Sequence, residues 1–266
     1  MSSAVTVDPA HVPSLALACE ITTPVTTYRL TDSGPSPVSR GTGFFLSHDG
    51  RYFVVTNTHV LEAYAALKSA GKEKEAGVQV WSGEGETGSE VHEGYLLAAN
   101  KTHRTVLGIK SVYDHKDVGL IELSSAAVKK VKKSKKFISL QDAGTAAEGD
   151  LVYYKGYPKK SAEFHGAVQK VTFGEWYDMR RVKLVHEALI VTAADSVAVY
   201  KSKDFDEDGS NLTGISGSAL LNESGKLVGV VWGGENKKVT GPIYAVPVQT
   251  LRALVEQYPE LKATFA

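Results

Sequence analysis

A serine between two glycines is the first feature of this chain that could carry chemistry. The segment Gly214-Ile215-Ser216-Gly217 precedes an apolar run that leads to Trp232. Glycine permits a sharp turn that exposes a hydroxyl, and such a turn leaves main-chain N–H groups able to bind an oxyanion. Glycine and serine are also ordinary loop residues, so the segment alone is weak evidence. Ser216 becomes a candidate nucleophile only if a base and an acid accompany it.

A histidine and an aspartate stand where the base and its orienting acid would be needed. His59 follows an apolar, β-branched run and the residues Thr-Asn-Thr, which places it at the end of a buried strand. Asp117 lies between a charged turn and an apolar segment, so we expect it half-buried at the mouth of a strand. A carboxylate there can hold the Nδ1–H of the imidazole, so that the other ring nitrogen accepts the proton of Ser216.

Each of these residues has a competing interpretation. Asp114 lies near Asp117, but more residues separate it from the following strand, so Asp117 is preferred. Ser218 could replace Ser216 as the nucleophile, yet the glycine and small residues after Ser216 favour Ser216. Most single histidines are structural, and the setting of His59 after a buried strand favours catalysis instead. The other histidines show no paired spacing for a metal, so neither a metal nor an organic cofactor is predicted.

The segments that carry these residues resemble those of the trypsin-like serine peptidases, whose fold has two β-barrels. The order His, Asp, Ser along the chain is that of the chymotrypsin-like arrangement. The resemblance runs from roughly residue 40 to 250, and it is nearest to the bacterial glutamyl endopeptidases and HtrA-type enzymes. The matching segments are Gly41–Phe44 (GTGF), Thr56–Val60 (TNxHV), Asp117–Leu120 (DxAL) and Gly214–Ala219 (GxSGSP).

The resemblance implies an all-β fold of two antiparallel, six-stranded Greek-key β-barrels with a C-terminal helix. Residues 1–266 would form a single peptidase unit. The N-terminal barrel (14–128) would carry His59 and Asp117, and the C-terminal barrel (147–246) would carry Ser216. The inter-barrel linker would be 129–146, and 247–266 would form the C-terminal helix and tail.

The resemblance also implies a serine endopeptidase that cleaves peptide bonds through an acyl-enzyme, and it assigns further roles. The N–H groups of Gly214 and Ser216 would form the oxyanion hole, and the main chain of Val231, Trp232 and Gly233 would pair with the substrate as an added strand. Ser210, Thr213 and Val231 would line the pocket for the side chain before the cut, with residues near Gly241. The alternative is a catalytically silent peptide-binding module on the same fold, against which the complete triad counts.

Two residues depart from the pattern of well-known family members. Ile215 stands where the digestive enzymes carry an aspartate that pairs with a newly cut N-terminus, so activation by such a cut is not expected. Activation by a partner or a ligand remains open. Val231 stands where glutamyl-specific relatives carry a histidine, so we expect a neutral or small side chain before the cut rather than strictly glutamate.

Short apolar segments between turn residues predict the supporting elements. Strands are predicted at 16–21, 78–81, 94–98, 151–154 and 188–192, at a spacing typical of a barrel or sandwich. Helices are predicted over 60–70, directly after the histidine, and over 247–258, after a proline.

Composition indicates an ordinary folded domain, and the resemblance implies that its substrate is a protein or a peptide. The 266 residues are 42% hydrophobic and carry a formal net charge of zero, which argues against nucleic acid and anionic membranes as partners. No apolar stretch reaches the roughly 20 residues that span a bilayer, and the N-terminus lacks the features of a secretory signal. The single cysteine, Cys19, fits a reducing compartment, so a cytoplasmic location is expected. A peptidase in that compartment would need restraint, so a regulatory partner protein is also expected.

Two charged runs imitate functional motifs. The lysine-rich run 129–136 suggests nucleic-acid binding, but without interleaved aromatic residues it is better interpreted as a solvated linker. The acidic run 204–210 resembles the start of a calcium-binding loop, yet the position of the final glutamate ligand is occupied by Ile215. A solvated acidic loop beside the cleft is therefore predicted.

Overall fold

The computed structural model describes residues 13–32, 34–72, 76–82, 85–86, 89–96, 103–109, 117–147, 150–157, 162–165, 170–173, 178–186, 190–192, 214–234 and 242–265. The helices in these ranges are α1 (Pro13–Ile21), α2 (Thr58–Ser69), α3 (Ser125–Val131) and α4 (Val248–Phe265). The strands are β1 (Thr22–Thr31), β2 (Gly34–His48), β3 (Arg51–Thr56), β4 (Ala76–Ser82), β5 (Gly85–Glu86), β6 (Ser89–Leu96), β7 (His103–Ile109), β8 (Val118–Leu123), β9 (Ile138–Ser139), β10 (Leu151–Gly156), β11 (Ala162–His165), β12 (Lys170–Phe173), β13 (Asp178–His186), β14 (Ile190–Thr192), β15 (Ala219–Asn222), β16 (Leu227–Gly234) and β17 (Pro242–Pro247).

The first sheet is a curled, largely antiparallel sheet that carries His59 and Asp117. Its strands follow the order β11-β12-β6-β4-β1-β2-β3-β8-β7, with β5 paired to β6 and β9 paired in parallel to β2. In the pairing of β3 with β8, Thr56 lies opposite Gly119. The end of β3 and the start of β8 therefore meet at one edge, which brings residues 57–59 beside residue 117. Apolar side chains from β1, β2, β3 and β8 pack there against α2 and α3.

The second sheet is a closed barrel of six strands in the order β10-β13-β14-β17-β16-β15. Alternate residues of β10, Val152 and Tyr154, face its interior and pack against Val231 and Ala245. A larger apolar cluster connects the two sheets with α4, because it contains Phe44 of β2 together with residues from β15, β16 and α4. The removal of this surface from water is the main force that holds the two sheets together.

The all-β architecture and the C-terminal helix agree with the sequence-based expectation, but the first unit differs from the closed six-stranded barrel that was predicted. Within the described ranges it is an 11-stranded sheet with two free ends. The hairpin β11–β12, drawn from the range 147–246 predicted for the second barrel, pairs through β12 with β6 of the first sheet. The sheet is thereby extended at its edge. The precise domain boundaries stay a prediction.

Residues 16–21, predicted as a strand, lie instead in α1. The proline lies at the first helical position, where its fixed φ suits a helix. The leucine and alanine residues that follow are strong helix formers. Leu15 and Ala18 are buried, and the Ser14 hydroxyl donates to the carbonyl of Asn222 at 2.7 Å. The predictions at 78–81 and 151–154 are confirmed by β4 and β10, and the two predicted helices by α2 and α4. Of the strands predicted at 94–98 and 188–192, the structure describes residues 94–96, which lie in β6, and residues 190–192, which form β14.

The lysine-rich run 129–136 begins inside α3 rather than in an irregular linker. Ser124 caps this helix by accepting a hydrogen bond from the N–H of Ala127 at 3.3 Å. Lys129 and Lys130 lie in its last turn, where cations interact favourably with the helix dipole. Lys132 lies over the ring of Tyr52, Lys135 donates to the carbonyl of Cys19 at 2.9 Å, and Lys136 forms an ion pair with Glu20 at 2.8 Å. In the part of the chain that the structure describes, no helix is both long and apolar enough to cross a membrane.

Candidate active site

His59 and Asp117 form a side-chain pair at the junction of β3, α2 and β8. His59 lies in the first turn of α2, directly after the end of β3. Its Nδ1 bonds to Oδ2 of Asp117, and its backbone N–H donates to Oδ1 of the same carboxylate at 3.1 Å. The imidazole side chain is 37% exposed whereas that of Asp117 is 4% exposed. The ring therefore presents its Nε2 edge outward while the carboxylate behind it is excluded from water.

The environment of Asp117 keeps its carboxylate ionised. Burial by itself would raise the pKa of Asp117, because a charge is poorly solvated away from water. The side-chain hydrogen bond and the charge of His59, with the backbone N–H groups of Thr58 and His59, outweigh burial and lower the pKa of Asp117 below its ordinary value. An anion at this position favours the tautomer of His59 with its proton on Nδ1.

Two polar side chains, from the residue between β3 and α2 and from the first residue of α2, hold the start of β8 in place. The side-chain amide of Asn57 donates to the main-chain carbonyl of Asp117. The hydroxyl of Thr58 donates to the carbonyl of Val118 at 3.0 Å. Asn57 is fully buried, so its amide contributes a bond that water does not replace. The aspartate is thus positioned through its main chain as well as through its carboxylate.

Ser216 lies in a tight turn, residues 214–218, which we call the serine loop. Gly214 and Gly217 adopt positive φ angles of 110° and 95°, which a residue with a side chain rarely adopts. Ser216 is partly exposed. Ser218 is fully buried, and its hydroxyl donates to the carbonyl of Ile215 at 2.6 Å. Burial and this bond explain why Ser216, rather than Ser218, is the accessible hydroxyl of the loop.

The backbone N–H groups of the serine loop fall into two sets. Those of Gly217 and Ser218 donate to the carbonyls of Val231 (2.7 Å) and Ile215 (3.0 Å), respectively. Among the described residues, no backbone carbonyl accepts from the N–H of Gly214 or Ser216. These are the two N–H groups that the sequence assigns to the oxyanion hole.

Thr42 of β2 connects the serine loop to the sheet that carries His59. Its N–H donates to the carbonyl of Ser216 at 2.8 Å, and its hydroxyl donates to the carbonyl of Gly214 at 2.7 Å. Its own carbonyl accepts from the hydroxyl of Thr56, three residues before His59, at 2.7 Å. The serine loop and β3, the strand that precedes His59, are therefore both bonded to Thr42.

Gly41 shows how closely the two halves of the site approach each other. A Cβ added at Gly41 would lie 2.5 Å from the Cγ2 of Val60 and 3.1 Å from the carbonyl oxygen of Ser216. Val60 is the residue after His59 in α2. Only a glycine at this position allows the first turn of α2, β2 and the serine loop to come together. The main chain of Ser216 and the residue after His59 thus both lie against β2 at Gly41 and Thr42.

The predicted substrate-binding residues divide into two groups. Ser210, Thr213 and Gly241, like Asp114 and the acidic run 204–210, lie outside the described residues. Residues Val231, Trp232 and Gly233 lie on β16, where the register against β17 shifts between Val231 and Gly233. This shift occurs beside the serine loop, because Val231 is the residue whose carbonyl bonds to Gly217.

The predicted pairing of Val231 with substrate main chain is not compatible with its bonds. Its N–H donates to the carbonyl of Ser218 at 2.8 Å, and its carbonyl accepts from Gly217. Both main-chain groups are therefore occupied by the serine loop. The side chain of Val231 is fully buried in the barrel interior.

Sequence reasoning missed the residues that position the site, namely Thr42, Thr56, Asn57 and Ser218. All four lie inside the motifs that were recognised, yet Ser218 was weighed only as an alternative nucleophile and the other three were treated as part of the pattern. Their signal was a small polar residue within a segment that is otherwise apolar or glycine-rich. A buried polar side chain must find a partner, so each of these positions indicates a specific bond.

The comparisons with known proteins agree with this geometry. A model of the trypsin-like peptidase domain matches residues 41–230, and the chain therefore belongs to the trypsin-like peptidase family. Its fold is similar to that of a serine endoprotease from Yersinia pestis, with a TM-score of 0.52 and 15% sequence identity over 94% of this chain and 67% of that chain. At this identity the similarity shows the fold alone. A search of curated proteins finds no match to the chain.

Proposed function

We propose that this protein is a serine endopeptidase with a Ser216–His59–Asp117 triad. The observation that carries the proposal is the paired His59 and Asp117 beside a serine loop that Thr42 bonds to the same sheet. The membership of the family supports a peptidase, and the geometry supports the assignment of the individual residues.

The proposed reaction begins with the attack of the Ser216 Oγ on the carbonyl carbon of a peptide bond. His59 accepts the hydroxyl proton at Nε2, and Asp117 stabilises the resulting imidazolium without taking the proton itself. The proton then passes from Nε2 to the leaving amine as the C–N bond breaks. Water, deprotonated by the same nitrogen, subsequently releases the acid product from the Ser216 ester.

The N–H groups of Gly214 and Ser216 would bind the oxyanion of the tetrahedral intermediate. Their lack of a backbone acceptor among the described residues supports this role. Removal of one such donor from a site of this type costs about 10²- to 10³-fold in kcat. The groups are held in place before substrate arrives, so little reorganisation accompanies the reaction.

The substrate would be an extended peptide or an exposed protein segment that pairs with the end of β16 beyond Val231. An added strand satisfies main-chain groups at a sheet edge, and alternate side chains enter pockets. The expectation of a neutral residue rather than glutamate before the cut comes from the resemblance alone, because the side chain of Val231 is buried in the barrel interior. Digestion of a proteome-derived peptide library tests this directly, since mass spectrometry of the products gives the residue on each side of every cut.

We expect wild-type protein to cleave the library with a consistent, neutral residue before the cut, and the variant Ser216→Ala to leave it intact. Cleavage that persists in Ser216→Ala would contradict the assignment of the nucleophile. Retention of extended peptides without any cleavage would indicate the peptide-binding module instead. Candidate activators, including a peptide ligand that occupies β16, belong in the same assay.

A further inference from the structure

All three carbonyl oxygens of residues 214–216 are held by donors within the protein. Thr42 donates to two of them, through its hydroxyl to Gly214 and through its N–H to Ser216. Ser218 donates to the third, that of Ile215, through both its hydroxyl (2.6 Å) and its N–H (3.0 Å). Thr42 and Ser218 are both fully buried, so water does not compete for these bonds.

The direction of a carbonyl fixes the direction of the next N–H group along the chain. In a trans peptide the C=O and the N–H point in opposite directions, and no peptide bond in the described ranges is cis. The peptide that joins Ile215 to Ser216 has its carbonyl held by Ser218, so the N–H of Ser216 must point away from Ser218. The peptide that joins Ser216 to Gly217 is held at both ends, by Thr42 and by Val231.

We infer that the hydroxyls of Thr42 and Ser218 are positioning groups that pre-form the oxyanion-binding turn. This inference rests on the proposed function for its catalytic consequence. Neither hydroxyl contacts the reacting atoms. Each hydroxyl holds one carbonyl oxygen of the turn. Thr42 lies in β2 of the first sheet, and Ser218 lies directly before β15 of the closed barrel.

The hydroxyl of Thr42 has a second bond that makes its position unambiguous. It accepts from the N–H of Tyr157, directly after β10, at 2.9 Å while it donates to Gly214. A methyl group in place of this hydroxyl would leave a buried carbonyl and a buried N–H without these partners, which is unfavourable. Rotation of the Gly214–Ile215 peptide, or opening of the turn, would relieve the cost at the carbonyl. This peptide carries the N–H of Ile215 and lies between Gly214 and Ser216, so its rotation would move the two N–H groups proposed to bind the oxyanion through the backbone of the turn.

The side chain of Ile215 also holds the serine loop in place, through apolar contacts. It is fully buried in the interior of the closed barrel. A Cβ at Gly156 would lie 2.7 Å from the Cγ2 of Ile215, so the loop is seated against β10. The turn is therefore fixed by hydroxyl bonds and apolar burial, with no ion pair at residue 215.

The test uses the full chain with three substitutions at the two positions and one control. Thr42→Val replaces the hydroxyl with a methyl group of similar size, and Thr42→Ser keeps it. Ser218→Ala removes the other hydroxyl. Thr27→Val is the matched control, since the buried Thr27 hydroxyl also donates to a single main-chain carbonyl, that of Val60, at 2.8 Å, but does not contact the serine loop.

For cleavage of a library-derived peptide, we expect kcat to fall about 10²-fold in Thr42→Val and Ser218→Ala while KM changes less than about threefold. Thr42→Ser should restore kcat to within about fivefold of wild type. Thr27→Val should lower the thermal midpoint by less than Thr42→Val, because one buried group rather than two loses its partner, and should keep kcat within about threefold. Loss of kcat in proportion to lost stability across all four variants would overturn the inference.

A readout that needs no turnover separates this inference from the proposed function. Hydrogen exchange of the backbone amides should become at least tenfold faster at Thr42, Tyr157 and residues 217–218 in Thr42→Val. It should remain unchanged there in Thr27→Val. Unchanged exchange at these amides in Thr42→Val would contradict the inference even in an active enzyme. Faster exchange in a protein that never cleaves a peptide would support the positioning role and contradict the proposed function alone.

Discussion

The carboxylate of Asp117 bonds to His59 through both of its oxygens, one to the ring Nδ1 and one to the backbone N–H. This two-point contact fixes the imidazole relative to α2 and to the start of β8 at the same time. Because the contact favours the ionised carboxylate, the pKa of Asp117 is lowered in the folded protein. The proposed catalytic pair therefore also contributes to folding stability.

The substitution Asp117→Asn should change the pH dependence of stability in acid. A lowered folded-state pKa means that the stabilisation is complete above the ordinary pKa of about 4 and is lost as pH falls through the lower, folded-state value. The difference in free energy of unfolding between wild type and Asp117→Asn should thus be largest at neutral pH and narrow below about pH 4. Urea denaturation at a series of pH values measures this difference.

Ser216→Ala provides the control for that experiment, because it removes the proposed nucleophile and leaves the His59–Asp117 pair in place. Its stability should follow the wild-type pH curve. A constant difference between wild type and Asp117→Asn from neutral to strongly acid pH would show that the pair does not favour the ionised carboxylate. In the library assay, Asp117→Asn should also lose about 10⁴-fold in kcat, because the imidazole is left in the wrong tautomer.

The substitution Gly217→Ala should abolish peptide cleavage and destabilise the fold. The residue has a φ of 95°, and a Cβ there would overlap the carbonyl oxygen of Thr42 and lie 2.6 Å from the hydroxyl oxygen of Thr56. The matched control is Gly50→Ala, at a φ of 72°, where nothing lies within 4 Å of the added Cβ. Gly50→Ala should cost only the backbone strain of about 1–2 kcal/mol. Equal losses of stability in the two variants, measured by urea denaturation, would contradict the close approach at Gly217.

The substitution Ile215→Asp should disrupt the serine loop rather than restore a family-like ion pair. The side chain is fully buried in the apolar interior of the closed barrel, so a carboxylate there costs about 3 kcal/mol or more. Ile215→Val should cost only about 1 kcal/mol and retain cleavage. Thermal unfolding and the peptide assay measure the two effects. Full activity in Ile215→Asp would mean that the loop does not depend on apolar burial.

The C-terminal helix should stabilise the strand that begins after Asp117. The hydroxyl of Tyr258 in α4 donates to Oε2 of Glu122 in β8 at 3.0 Å, and both residues are buried. Tyr258→Phe removes a donor from a buried carboxylate, so we expect a loss of about 1.5–3 kcal/mol. Tyr52→Phe is the same chemical change at an exposed hydroxyl, which bonds to Lys132 at 3.0 Å, and should cost less than about 0.5 kcal/mol. Indistinguishable urea midpoints for these two variants would contradict the proposed role of α4.

The sequence was sufficient to propose His59, Asp117 and Ser216, because local patterns of neighbouring residues indicate the end of a strand and a glycine-flanked turn. The structure pairs the first two of these residues, and their catalytic roles stay a prediction. The sequence was also sufficient for β4, β10, α2 and α4, whose apolar spacing is local. Residues 16–21 were mistaken for a strand because a short apolar run fits a buried helix equally well. In the folded protein the length of the segment and its helix propensity, with Pro13 at the first helical position, favour the helix.

The remaining features depend on contacts between residues that are distant in the chain. The hairpin β11–β12 pairs with β6, which no local pattern indicates. The bond from the Thr42 hydroxyl to Gly214 spans 172 positions. The occupied main chain of Val231 likewise follows from the way the serine loop turns back onto β16. Such contacts are consequences of the complete fold, and no local pattern in the sequence indicates them.

Covalent labelling of the folded wild-type protein with a fluorophosphonate, followed by mass spectrometry of its peptides, tests the central claim most directly. The probe reacts only with a serine whose hydroxyl is activated, so an adduct identifies the nucleophile as well as the activity. We predict a single adduct on Ser216, which is absent in Ser216→Ala and falls at least about 10³-fold in rate in His59→Ala. A folded wild type that stays unlabelled in the presence of peptide ligands, or an adduct on a residue other than Ser216, would contradict the account.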